Sequence, residues 1–160
     1  MNQTNKWVIG IIIIIVVIVV GYLIYKGPSQ PVSTEPIKIG FIGPLTGDAS
    51  VIGENVKVAI EMARDEVNNA GGVNGRKIEV IFEDGKCGPK EATNAANKLI
   101  NIDKVIAIIG GCCSAETLAA APLAEKAKKP LFSYCSTNSM VTQAGDYVFR
   151  FVPSDSFQGK

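Results

Sequence analysis

The 160-residue sequence has no histidine. That absence excludes a Ser-His-Asp or Cys-His catalytic pair and any imidazole metal ligand within this chain. Excess charge is also missing, since 16 Lys and Arg stand against 15 Asp and Glu. Setting aside Lys6, Lys26 and Glu35 leaves 14 of each sign from residue 37 onward. There is no basic field to hold a phosphate backbone, so nucleic acid is not an expected partner. Neither G-x-G-x-x-G nor G-x-x-x-x-G-K-[ST] occurs, which removes the main support for a nucleotide, and no cofactor is expected. What the chain does have is apolar residues, 47% of the total and unevenly spread: residues 7–25 are all apolar except Gly10 and Gly21.

That run carries no charge and would extend about 28 Å as a helix, close to a bilayer core. Trp7, Tyr22 and Tyr25 sit at its ends and Lys6 and Lys26 bracket it, the arrangement of an interfacial belt. It is too long for the apolar region of a cleavable signal, and Gly27-Pro28-Ser29-Gln30-Pro31 follows in place of a small-x-small cleavage site. These features predict a single-pass anchor in the cell membrane over residues 7–25. Lys6 and the terminal amine make residues 1–6 the cytoplasmic stub. Residues 26–36, rich in proline and serine, form a linker. Residues 37–160 then lie outside the cytoplasm as one domain.

Within 37–160, short apolar runs alternate with segments of helical period. Residues 37–43, 77–82, 105–109, 130–134 and 147–151 read as strands; 53–70, the stretch opened by Pro89, and 115–128 read as helices, the last kinked at Pro122. This alternation predicts an α/β, doubly wound parallel sheet with helices on both faces. Ligands bind such sheets at the carboxyl ends of the strands, so the loops there are the places to look.

The loop 43–47 is rich in glycine, which suits either a tight turn or close backbone approach to a ligand. The third loop, Gly110-Gly111-Cys112-Cys113-Ser114-Ala115-Glu116-Thr117, places a hydroxyl where a helix begins. Ser114 is expected to cap that helix while the free N–H groups face outward, a carboxylate site in outline. The fourth loop, Cys135-Ser136-Thr137-Asn138, brings two more hydroxyls and an amide beside it. The four cysteines allow three pairings. A zinc site would need close C-x2-C pairs, which are missing, and a redox role would lean on a thiol at a helix N-terminus without C-x-x-C or histidine.

Residues 37–159 carry a series of ordered motifs: Ile-Lys-Ile-Gly-Phe-Ile-Gly-Pro-Leu-Thr-Gly, Asn-Asn-Ala-Gly-Gly-Val-Asn-Gly-Arg-Lys-Ile, Glu-Asp-Gly-Lys-Cys-Gly-Pro-Lys-Glu-Ala, Ala-Pro-Leu-Ala-Glu-Lys-Ala and a terminal Phe-Gln-Gly. In these the chain resembles the N-terminal lobe of the leucine/isoleucine/valine-binding proteins, the branched-chain amino-acid receptors of ATP-driven importers with the type I periplasmic binding fold. The resemblance implies a non-enzymatic, monomeric substrate-binding component that closes over an amino acid and delivers it to an ABC permease. It implies that Ser114 and Thr137 hold the ligand's α-carboxylate and α-ammonium with backbone groups at Cys135. Ile52 stands where many relatives place a covering aromatic ring. A disulfide between Cys87 and Cys113 is implied too, while Cys112 and Cys135 form a second bond or remain free thiols. The resemblance implies a second lobe beyond these residues and hence a fragment of a longer receptor, so weak or no binding by residues 37–160 is expected. A ligand-sensing ectodomain built on the same lobes is the alternative.

Overall fold

The computed structural model describes residues 3–25 and 34–159, as two compact units, one on either side of the boundary between Ser33 and Thr34. Residues 1–2, 26–33 and 160 lie outside the described residues, and with them most of the expected linker and the start of the stub.

The first unit is one helix, α1 (Gln3–Tyr25). It therefore begins within the expected stub and takes in the whole apolar run. Its described side chains from Trp7 to Tyr22 are nearly all exposed, so apolar groups face outward on every side. Among the described residues no helix is long and apolar enough to cross a membrane, so the structure lends no support to the anchor expected over residues 7–25.

The second unit alternates strand and helix: β1 (Ile37–Gly43), α2 (Ser50–Asn69), β2 (Ile78–Asp84), α3 (Pro89–Asn101), β3 (Ala107–Gly110), α4 (Ser114–Ala127), β4 (Leu131–Ser133), β5 (Val148–Arg150) and a single turn, α5 (Asp155–Gln158). A 3-10 turn over Ser139–Gln143 precedes β5. All four pairings are parallel, in the order β2-β1-β3-β4-β5. Several limits differ from the sequence reading. α2 starts three residues before Gly53, and β3 starts two residues later and ends one residue later than expected, Val105 and Ile106 bonding instead to Leu99 and Lys38. α4 continues through Pro122, whose ring occupies a place in an unbroken 14-residue helix.

The core lies between the sheet and the α3–α4 pair. Ala92, Ala95, Ala96 and Leu99 of α3 and Ala120, Ala121 and Ala124 of α4 pack on Ile42, Ile108 and Leu131. Alanines on the helix faces let the backbones approach, and each fully buried Leu, Ile or Val contributes about 1.5–3 kcal/mol. On the opposite face, α2 covers Ile39, Val80 and Ile109 around an apolar cavity of about 160 Å³. Farther along, Phe132, Phe149 and Phe151 stack with ring centroids 5.2 and 5.8 Å apart, and Phe149 and Phe151 remain exposed. The order of strands reverses between β1 and β3, so the carboxyl ends of these two strands are where a ligand is expected.

Candidate functional site

Four loops meet there. The first follows β1. The Asp84 carboxylate, at the end of β2, accepts the Leu45 N–H at 2.9 Å, the Thr46 hydroxyl at 2.5 Å and the Lys86 N–H at 3.1 Å. Burial pushes the Asp84 carboxyl up, but these hydrogen bonds outweigh it and hold it below the usual carboxylate range. A single side chain thus ties the first loop to the second.

The second and third loops are joined by a Cys87–Cys113 disulfide, with Cα atoms 5.1 Å apart. The third and fourth are joined by Cys112–Cys135, with Cα atoms 4.8 Å apart. No cysteine among the described residues is free. All four cysteines are thus engaged in bonds that join the loops. Sulfur atoms of Cys87 and Cys113 do lie with a Glu116 carboxylate oxygen within 4.8 Å of one another, but paired sulfurs are not the thiolates that zinc binds.

Beneath the disulfides is a buried hydroxyl network. The Gly111 carbonyl accepts hydrogen bonds from Ser133 Oγ at 2.8 Å, Ser136 Oγ at 3.1 Å and Thr117 Oγ1 at 3.3 Å. Ser133, Ser136 and Thr117 are fully buried. A side chain at position 111 would overlap Thr117 Oγ1, so only glycine brings that carbonyl into the centre of three hydroxyls.

Ser114 does not cap α4 as expected. Cys113 occupies the N-cap with extended backbone, and Ser114 is the first helical residue. The reason is Glu116, whose carboxylate reaches back to the Cys113 N–H at 3.1 Å and to the Cys112 N–H at 3.0 Å. A carboxylate three residues into a helix takes over the satisfaction of the N-cap donor. The Ser114 hydroxyl is thereby released from local duty and accepts the Asn138 N–H at 3.2 Å, which links the third loop to the fourth. The N–H groups of Ser114 and Ala115 have no intrahelical acceptor. In the fourth loop, the Thr137 carbonyl accepts the Asp155 N–H at 2.8 Å and an Arg150 guanidinium N–H at 3.3 Å. The Thr137 hydroxyl and Cys135 carbonyl have no hydrogen-bond partner among the described residues. Ser114, Cys135 and Thr137 are all partly exposed. Ile52 is in the first turn of α2 and half exposed.

The structure thus brings Ser114, Cys135 and Thr137 into two cross-linked loops. Sequence reasoning missed Glu116, Asp84 and the inward-facing Ser133, Thr117 and Ser136. The signal for Glu116 was available as an acid three residues after the N-cap. Partly exposed hydroxyls, a free carbonyl and helix N-terminal amides can bind a small zwitterion by hydrogen bonds.

The sequence pattern of the family described as periplasmic binding protein matches residues 36–160. The chain belongs to that family. An amino acid binding protein of Pseudomonas aeruginosa is 37% identical over 124 residues, covering 77% of this chain and 33% of the relative. A branched-chain amino acid transporter substrate binding protein of Streptococcus pneumoniae, solved in complex with isoleucine, superposes with a TM-score of 0.72 at 36% identity over 76% of this chain and 35% of the other. A solute binding protein of an ABC transporter from Rhodopseudomonas palustris, solved with 3,4-dihydroxy benzoic acid, gives 0.68 at 33% identity over 76% and 33%. This periplasmic binding protein chain spans about a third of the length of the relatives it matches. Its two disulfides and the hydroxyl network lie within the matched region, residues 36–160.

Proposed function

We propose that the chain supplies one lobe of the substrate-binding component of an ABC importer for amino acids, branched-chain ones first. In this reading the ligand's carboxylate meets the Ser114 hydroxyl and the N–H groups at the start of α4. Its ammonium meets the Thr137 hydroxyl and the Cys135 carbonyl, and Ile52 covers the side chain. The observation that carries the reading is the cross-linked pair of loops at the ends of β3 and β4, which presents acceptors and donors a few residues apart. The S. pneumoniae relative solved with isoleucine supports it.

We further propose that α1 tethers this lobe to the cell membrane, with the domain on the outer side. The 23-residue helix would be about 34 Å long. Its sequence between Lys6 and Lys26 carries no charge. A tether raises the effective concentration of the receptor near its permease.

The test is a thermal-shift and titration series on the chain with millimolar leucine, isoleucine and valine, and with benzoate and 3,4-dihydroxybenzoate. Stabilisation by a branched-chain amino acid that is lost in Ser114→Ala and Thr137→Ala supports the reading. Stabilisation by the aromatic acids alone would move the ligand class to carboxylates without an ammonium. No shift with any of them would show that this lobe alone does not hold these ligands, the outcome in which binding needs the second lobe or another ligand class.

A further inference from the structure

We propose that Glu116 is the positioning residue of the carboxylate end of the site: its buried side chain gathers the N–H groups of Cys87, Cys112 and Cys113 and so leaves Ser114 and the next amide of α4 to the ligand. The inference rests on the binding role proposed above, though its first half stands without it.

Glu116 is fully buried, yet among the described residues it forms no ion pair with a Lys or Arg. It is held by three backbone donors, the N–H of Cys87 at 3.1 Å on one oxygen and those of Cys112 and Cys113 at 3.0 and 3.1 Å on the other. A buried carboxylate is costly unless its lone pairs are satisfied, and here amides from two loops do so. The arrangement also fixes unfavourable backbone. Lys86 and Cys87 have φ of 50° and 54°, left-handed conformations that an L residue adopts at a cost. The Asp84 carboxylate holds the first of them through its N–H and Glu116 holds the second. Gly85 makes room for Glu116, because a methyl there would overlap Oε1. Two other titratable groups bear on this carboxylate: Asp84, which pushes it up, and Tyr134, whose hydroxyl is pushed up first by burial and then by Glu116.

Glu116 therefore accounts for two features at once. It explains why Cys113 rather than Ser114 occupies the N-cap, and why the Ser114 hydroxyl points to Asn138 and the fourth loop. Gln at this position would place an NH2 group against one set of N–H donors. Asp would fall short of them by one methylene.

The experiment is a pH titration of the 15N-labelled chain in detergent micelles, followed at the amides of Cys87, Cys112 and Cys113, with Asp84→Asn as the background that removes the neighbouring carboxylate. The expected result is that all three amide signals move together with one midpoint, and that this movement disappears in Glu116→Gln. Leucine titration at pH 7.5 should then show binding at least about tenfold weaker in Glu116→Gln, the scale of one charge-assisted hydrogen bond, with both disulfides intact by mass. If Glu116→Gln does not fold, the wild-type titration alone decides. Amides that titrate separately or not at all would overturn the proposal, as would a Glu116→Gln protein that binds leucine as well or better. Joint titration with no leucine binding by either protein would uphold the gathering of the amides and overturn its link to leucine binding by this lobe.

Discussion

The hydroxyl oxygens of Thr117 and Ser136 lie 2.7 Å apart, both fully buried, and join the first turn of α4 to the loop after β4. Ser136 Oγ also reaches the carbonyls of Gly111 and Cys112, each at 3.1 Å. The candidate site stands on this layer of hydroxyls, so disturbing the layer should be felt above it.

Replacing Thr117 by Val keeps the shape and leaves Ser136 short of a partner. The expected cost is about 0.5–1.5 kcal/mol for one lost hydrogen bond, since Ser136 Oγ keeps the Gly111 and Cys112 carbonyls. Ser136→Ala should cost a similar amount. The double variant should cost clearly less than the sum, because the two residues share one interaction. Urea unfolding of the three variants checks this, and strict additivity would show that the pair is not coupled.

Removing the Cys112–Cys135 bond by replacing both residues with Ala should lower stability by about 2–4 kcal/mol in the loop-closure picture. It should also lengthen the leash between the Ser114 and Thr137 loops and weaken leucine binding more than the loss of stability accounts for. Replacing the Cys87–Cys113 pair in the same way should have the larger effect on the β2–α3 loop, read as faster amide exchange at residues 85–88. Equal exchange in both variants would contradict the assignment of each bond to its own pair of loops.

Two carboxylates give the stability curve opposite slopes. Asp84 is held below its ordinary value of 3.8, so the folded form releases its proton more readily than the unfolded form. Its contribution is present above that value and is lost as pH falls through the folded pKa. Glu116 is raised above 4.5, first by burial and further by Asp84, against the pull of its amide donors. Its ionisation costs more in the fold than in the unfolded chain, so stability should rise as pH is lowered through the window above 4.5. Glu116→Gln should erase the rise and Asp84→Asn should soften the fall below 3.8. Chemical unfolding at pH 3 to 8 measures both, and a Glu116→Gln curve parallel to wild type would refute the first.

Gly85→Ala should behave as a partial copy of a Glu116 substitution, since the added methyl meets Glu116 Oε1. The expected signature is a shift of the Cys112 and Cys113 amide signals, remote in sequence from residue 85. Changes confined to residues 83–88 would mean that the carboxylate adapts locally.

The parallel sheet was legible because its strands announce themselves: Ile37-Lys-Ile-Gly-Phe-Ile-Gly is apolar and ends at a glycine, and Val105 to Ile109 is apolar throughout. Limits were less legible where tertiary hydrogen bonds decide them, as at Val105 and Ile106, which bond to Leu99 of α3 and Lys38 of β1 ahead of β3 itself. The loops at the candidate site could be named in advance because the carboxyl ends of the strands are fixed by chain direction. What could not be read was the division of labour among polar residues only a few positions apart. Ser114 and Glu116 both offer acceptors to the same helix start, and the longer side chain captures the N-cap amide while the shorter one is left for a neighbouring loop. Likewise Ser136 and Thr137 differ by one position, and the turn sends one hydroxyl inward and leaves the other unpaired.

The order of strands has a consequence for how the chain acquires its shape during synthesis. β1 is an interior strand, paired with β2 on one side and β3 on the other. Its second edge stays open until residues 107–110 have left the ribosome, about 65 positions after it was made. For that interval an apolar strand of seven residues presents an unpaired edge, the kind of surface that a holding chaperone protects. The cysteines emerge in the order 87, 112, 113, 135. The first sulfur to find a partner therefore meets two adjacent candidates before Cys135 exists, and an isomerase would have most to correct at this vicinal pair.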